Sequence, residues 1–178
     1  MKYMVGTTAR GPAVFGVEGE KAIDLTALDA SVGTDLMGLI NDPALAESVT
    51  AKMAGAPSVP VSSIIPALPV AQPGTIICLG LNYTDHIKEG GYEIPEYPAL
   101  FMRGKNSIMA AGSPLVRPAC SVQLDYEAEL VVVIGKTGRH VPENRAMEIV
   151  AGVCCGCDVS VRDWQRTSPT MIMGKGFD

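Results

Sequence analysis

The chain has 178 residues, enough for one domain with a sizeable core or a main domain with a small appendage. Hydrophobic residues make up 47% and charged residues 19%, the balance of a globular rather than a disordered protein. The net charge is −5, and no basic patch is interleaved with aromatics, which argues against a nucleic-acid partner; no apolar run nears the roughly 20 residues of a membrane span.

The opening MKYMVGTTARG has neither the apolar stretch nor the cleavage site of a signal peptide, so a cytoplasmic location is expected. Residues 1–30 alternate polar and apolar side chains, which predicts short antiparallel strands with turns at Arg10-Gly11-Pro12 and Glu18-Gly19-Glu20. Helical spacing follows over 34–54 (Leu36, Leu39, Ile40, then Ala44 to Met53), broken near Asn41-Asp42-Pro43. Residues 55–74 are rich in Pro, Ser and Ala and read as a surface linker and domain boundary. Ile76–Leu79 reads as a short buried strand, followed by a loop and a short helix that Thr84 or Asp85 could cap and Gly90 could end. Ala99–Met102 and Pro114–Arg117 are further strand candidates, and Gln123–Gly135 is the long central strand. Pro142 opens a helix to about Val150, and residues 150–158 form another buried strand ending at Asp158. Ser160 with Asp163 has the spacing of a capping box for a helical turn over Val161–Gln165.

The expected fold class is α+β and β-rich, with a small N-terminal β/α region and linker over residues 1–70 and a main domain over 71–178. The last residues, MGKGFD, show neither a polar tail nor a closing helix, so the chain is expected to hold only the N-terminal portion of that domain.

The strongest sign of chemistry is LDYEAELVVVI at 124–134. Strand alternation puts Asp125, Glu127 and Glu129 on one face and Tyr126, Ala128 and Leu130 on the other. Like charges on one face repel, unless a cation sits among them. Glu127 and Glu129 lie about 7 Å apart at their Cα atoms, within converging reach of two glutamate arms. Asp158 ends a separate apolar strand. Three carboxylates, with water or substrate completing the shell, suit Mg2+ or Mn2+. Asp125 is assigned a supporting or solvated place.

His86 and Glu89, three apart in a short helix, share a face, and a carboxylate beside an imidazole fixes its tautomer for general-base work. Taken without other support, an ordinary exposed histidine is the simpler account, and His140 is given that account. Arg103, Lys105, Arg162 and Lys175 could hold a substrate carboxylate or be plain surface charges. The cysteines are Cys78, Cys120, Cys154, Cys155 and Cys157; their odd count and crowding fit reduced thiols. Cys154, Cys155 and Cys157 are expected as small apolar thiols in a buried strand, in preference to a redox or zinc motif. No P-loop, dinucleotide-binding glycine motif or serine elbow is present.

At these residues the chain resembles the fumarylacetoacetate hydrolase family. CLGLNYTDHIKEGG is similar to that family's G-x-N-Y-x-x-H segment, LDYEAELVVVIGK to its D-x-E-x-E-L-x-x-V-I-G-K strand, CDVSVRDWQ to D-x-[ST]-x-R-D-x-Q, and GKGFD to K-S-F-D, with Gly176 where serine is common. The match is ordered over residues 76–178 and loose before it. The resemblance implies a mixed β-sheet roll, a divalent metal (Mg2+, with Mn2+ or Ca2+ as alternatives) and a homodimer. It implies a small 2-oxo or 1,3-dioxo acid substrate; membrane and nucleic-acid partners are not expected, on the hydropathy and charge above. Metal ligands fall on Glu127, Glu129 and Asp158, and a water-activating pair falls on His86 and Glu89. Lys175 takes the position facing a developing oxyanion; Arg103 and Gln165 take weaker substrate-contact positions. The expected activity is hydrolysis of a C–C bond in an acylpyruvate or a fumarylacetoacetate-like acid. Decarboxylation, hydration or isomerisation at the same site is the alternative, and a non-catalytic metal- and dicarboxylate-binding relative is a reading from another class.

Overall fold

The computed structural model describes residues 1–177. By its internal packing the chain divides into two compact units: Met1–Ala71 with Met109–Pro114 and Leu130–Cys154, and Gln72–Ile108 with Leu115–Glu129 and the residues from Cys155 onward.

The first unit is built on an antiparallel meander. Strands β1 (Lys2–Thr8), β2 (Gly11–Glu18) and β3 (Lys21–Asp24) pair in sequence, with Thr8 opposite Gly11 and Glu18 opposite Lys21. Gly11 has φ +104°, a value that strongly favours glycine, and it closes the first turn as its Arg-Gly-Pro context predicts. Asp24 then caps a short helix α1 (Leu25–Leu28) by accepting from the Ala27 amide at 2.8 Å. Helices α2 (Met37–Asn41) and α3 (Pro43–Lys52) break where Pro43 must start afresh; Asp42 caps α3 by accepting from the Leu45 amide at 3.0 Å. Adjacent Val14 and Phe15 point to opposite faces of β2, and both are fully buried. Val14 joins Val5, Ile23, Leu25, Leu39, Val49 and Met53 in one core cluster, and Phe15 joins Ala13, Ala22 and Ile64 in another.

The Pro- and Ser-rich stretch read as a linker is part of this sheet. Strand β4 (Ser58–Pro60) pairs with β3, and β5 (Ile65–Pro66) pairs with β1, giving the order β4-β3-β2-β1-β5. Both strands lie at sheet edges, where a proline's missing N–H costs no ladder bond on its open side.

In the second unit, β6 (Ile76–Gly80) pairs antiparallel with β7 (Ala99–Arg103), with helix α4 (Thr84–Glu89) between them in sequence. The expectation of a wholly buried first strand fails: Ile77 and Leu79 are exposed, as are Leu100 and Met102 opposite them, while Phe101 is buried. Pro114–Arg117 is not a strand; prolines at 114 and 118 bracket it and supply no amide hydrogens. The long central strand is interrupted. Strand β8 (Leu124–Asp125) ends where Asp125 Oδ1 accepts from the Tyr126 amide at 2.9 Å, and β9 (Ala128–Ile134) resumes after a two-residue gap. The segment after Pro142 is a 3-10 helix, Glu143–Ile149, rather than an α-helix. Strand β10 (Val150–Cys157) pairs with β9, and β11 (Ser160–Val161) pairs with β8. Two short helices, α5 (Arg162–Gln165) and α6 (Ile172–Lys175), complete the described elements. Among the described residues no helix is long and apolar enough to cross a membrane.

The cysteines correct another expectation. Cys155 and Cys157 are exposed and Cys154 is half-buried, so β10 is not a buried strand in this chain. Positions three apart on a strand face opposite ways, so Cys154 and Cys157 are not disposed as a dithiol pair. Cys78 is half-buried on β6, and burial first, then the nearby Asp158 charge, pushes its thiol pKa upward. Its thiolate fraction at pH 8 is therefore below that of an ordinary cysteine. Timed alkylation at pH 8 is expected to modify exposed Cys120, Cys155 and Cys157 first and Cys78 last; labelling of Cys78 as fast as Cys120 would contradict this environment.

Candidate active site

The site lies in the second unit and begins with a backbone contact. The Asp158 amide donates to the Glu127 carbonyl at 2.8 Å, in the gap between β8 and β9. Next to it, Ser160 on β11 stands opposite Asp125 on β8. Side-chain alternation survives the break: Asp125, Glu127 and Glu129 are half-buried, while Tyr126, Ala128 and Leu130 are exposed. The carboxylates thus occupy the inward face, and two separate segments deliver Glu127 and Asp158 side by side.

Three cations meet them. Lys175, only 2% exposed, donates from Nζ to Glu127 Oε2 at 2.6 Å and to Asp158 Oδ2 at 2.5 Å. The same ammonium sits 4.9 Å from the centre of the Phe101 ring. Arg103 Nη1 donates to Asp158 Oδ1, and to the Val159 carbonyl at 3.0 Å. Arg162 reaches Asp125 Oδ2 at 2.9 Å, Glu127 Oε1 at 2.6 Å and Gln165 Oε1 at 3.1 Å. The Arg162 hydrogen bond is the main reason that the Asp125 carboxyl lies below its ordinary range.

Glu129 is treated differently. Burial first, then the charge of Asp158, holds its carboxyl above the ordinary range; a hydrogen bond with Tyr83 pulls the other way. No ion pair holds Glu129 among the described residues.

Local folding explains these placements. Ser160, fully buried, sits 3.2 Å from both Glu127 Oε1 and the Asp158 carbonyl oxygen. It is not the helix cap its spacing predicted: Val161 is the N-cap residue of α5, without a side-chain cap bond. Ser121 donates to Asp163 Oδ1 at 2.7 Å, and the Arg162 amide donates to the Gln123 carbonyl at 2.9 Å, tying the start of α5 to the approach to β8. Lys175 is carried by α6, which packs backbone to backbone on α5 at Gly174. Ser121 escaped the sequence reading and Ser160 entered it only as a helix cap, because a small polar side chain announces its partner only when folded; Tyr83 escaped it too. Tyr83 did stand inside the N-Y-x-x-H segment that carried the resemblance.

His86 and Glu89 are both exposed on α4, whose buried residue is Ile87. Neither side chain carries a hydrogen bond or ion pair among the described residues. Tyr83, not Thr84 or Asp85, is the N-cap residue of this helix, with no side-chain cap bond.

Among the described residues, no three His, Cys, Asp or Glu side chains are gathered as a metal site in this structure. All four carboxylate oxygens of Glu127 and Asp158 are engaged by lysine or arginine. The donor chemistry nevertheless fits a hard divalent cation. Every candidate ligand is a carboxylate oxygen, four carboxylates face three cations, and Glu129 is held up by burial and then by the charge of Asp158.

Fold and site together define a strand-rich α+β protein with a half-buried carboxylate–cation network at the meeting of β8, β9 and β11. The chain belongs to the fumarylacetoacetate hydrolase family: the family model for the fumarylacetoacetate (FAA) hydrolase C-terminal domain matches residues 75–178. A mitochondrial oxaloacetate tautomerase, Fahd2a of Rattus norvegicus, is 34% identical over 163 residues, covering 90% of this chain and 52% of that protein. The solved fumarylacetoacetate hydrolase of Exiguobacterium antarcticum superposes with a TM-score of 0.78 at 28% identity, covering 100% of this chain and 62% of that one. A maleylpyruvate hydrolase from Sphingobium sp. SYK-6, solved with manganese(II) and pyruvate, gives 0.74 at 26% identity, covering 98% and 62%. The chain therefore spans about half the length of the curated relatives it matches. Relatives in the family are enzymes named as hydrolases, isomerases and tautomerases.

Proposed function

We propose that this chain carries the site of a divalent-metal-dependent enzyme that moves a proton between keto and enol forms of a small 2-oxo dicarboxylic acid. The carrying observation is the buried Lys175 ammonium held among Glu127, Asp158 and the flanking guanidinium groups. Charge that develops on an enol oxygen needs a preorganised positive partner in a water-poor setting, and Lys175 is such a group. The resemblance to oxaloacetate tautomerases supports the substrate class.

In this reading Glu127, Glu129 and Asp158 hold the metal, and the manganese in the maleylpyruvate hydrolase relative supports a divalent ion. When bound, the ion supplies Lewis acidity toward the oxygens of a 2-oxo acid. Arg103 and Gln165 bind substrate, Arg103 through a charge-assisted pair with a carboxylate. His86, exposed on α4, takes the proton from the substrate carbon on enolisation and gives one back to it on ketonisation.

A second reading, hydrolysis of a C–C bond in an acylpyruvate, has its own support. The maleylpyruvate hydrolase likeness and the His86–Glu89 spacing both favour it, with Glu89 turning His86 toward an attacking water. Its requirement for a paired dyad places it behind proton transfer, because the two side chains are not hydrogen-bonded here.

Incubation with oxaloacetate, acylpyruvates and fumarylpyruvate, each with and without Mg2+ or Mn2+, tests both. Metal-dependent interconversion of enol and keto oxaloacetate without carbon loss supports proton transfer. Release of pyruvate from acylpyruvates supports hydrolysis, and inertness toward the whole panel would sink both. For the metal itself, Glu129→Gln is expected to weaken Mn2+ binding roughly tenfold or more, since a charged ligand is lost. Unchanged affinity by calorimetry would remove Glu129 from the ligand set.

A further inference from the structure

We propose that Lys175 is the built-in counter-ion of this site, the charge against which a divalent cation competes for Glu127 and Asp158. The inference rests on the metal reading above. Lysine is almost never so fully buried unless it is paired, and Lys175 is 2% exposed. One ammonium serves two carboxylates, at 2.6 Å from Glu127 and 2.5 Å from Asp158. The remaining oxygens of the same carboxylates go to Arg162 and Arg103. Two of the three proposed ligands are thus fully engaged by protein cations, and metal entry is an exchange of cations rather than the filling of a bare acidic pocket.

The physical consequence is a set point. Without the ammonium, Glu127 and Asp158 would face each other in a poorly screened setting, at a cost to the fold. With it, a dication must overcome both the lost lysine contacts and repulsion by a neighbouring positive charge. Phe101 offers the ammonium a favourable contact that needs neither carboxylate. Lys175 therefore keeps the metal-free chain together and holds metal affinity below what the carboxylates alone would give.

Mn2+ binding to the wild-type chain and to Lys175→Met, measured by calorimetry, tests this. The variant is expected to bind Mn2+ roughly tenfold or more tightly. Equal or weaker binding overturns the proposal, because the lysine would then be holding the carboxylates in place for the metal. Should Lys175→Met fail to fold, acylation of wild-type amines with peptide mass analysis decides. Lys175 is expected to be protected without metal and modified several times faster at saturating Mn2+; equal protection overturns the proposal. A wild-type chain that binds no Mn2+ sinks the metal reading and this inference with it, whereas wild-type binding with no gain in the variant sinks this inference alone.

Discussion

Replacement of Asp158 by alanine is expected to destabilise the chain by about 3 kcal/mol, the lower end of the range for removing one partner of a buried ion pair. Asp158 is 8% exposed and its two oxygens are divided between Arg103 and Lys175. Arg103 would keep the Val159 carbonyl and Ser107, and Lys175 would keep Glu127, so neither cation loses every partner. Both would remain buried with one fewer negative charge, and the methyl group would leave the space between them unfilled. Asp158→Asn fills that space and should cost less. Denaturant titration checks the expectation: the midpoint should fall with little change in slope. A loss below about 1 kcal/mol, the scale of a surface ion pair, would mean that this network is more solvated than its geometry indicates. On the proposed metal reading, Mn2+ binding should also be lost in this variant.

Gly174→Ala is expected to be strongly destabilising although it replaces no charged residue. A Cβ at position 174 would stand 2.3 Å from the Gln165 amide nitrogen, 2.5 Å from the Gln165 Cα and 2.5 Å from the Val161 carbonyl oxygen. Every one of these is backbone, so no rotamer change relieves the clash, and α6 must move away from α5. Overpacking typically costs about 1–3 kcal/mol, and a rigid backbone contact belongs at the upper end. Since Lys175 follows directly, the same movement should pull its ammonium from Glu127 and Asp158. Gly152→Ala is the control, because nothing lies within 4 Å of a Cβ there. Equal thermal stability of Gly174→Ala and Gly152→Ala would refute the close packing of α5 and α6.

Much of the framework was readable before any coordinates, for local reasons. Gly11 closing a hairpin, Pro43 restarting a helix and Asp42 capping it depend on each residue's own backbone preferences and hydrogen-bonding reach. The alternation of Asp125, Glu127 and Glu129 against Tyr126, Ala128 and Leu130 held, because period two is a property of extended chain even across the break at 126–127. The ordered motifs over 76–178 led to the family that the comparisons show.

What failed was whatever depends on neighbours distant in sequence. The Pro-rich stretch at 58–66 forms strands because two sheet edges were free to accept it, which no local signal announces. The thiols of β10 and the apolar residues 77 and 79 were expected to be buried, yet hydrophobic character does not say what covers a face. Ser160 has the spacing of a helix cap but gives its hydroxyl to the neighbourhood of Glu127 and Asp158. By itself the sequence determined the carboxylate face, the strand periodicity and the residue types available for chemistry, since these follow from side-chain identity and backbone geometry. Only the tertiary structure decided that Lys175 sits between Glu127 and Asp158, partners 48 and 17 residues away, because pairing buried charges is a matter of which segments the fold brings within about 3 Å.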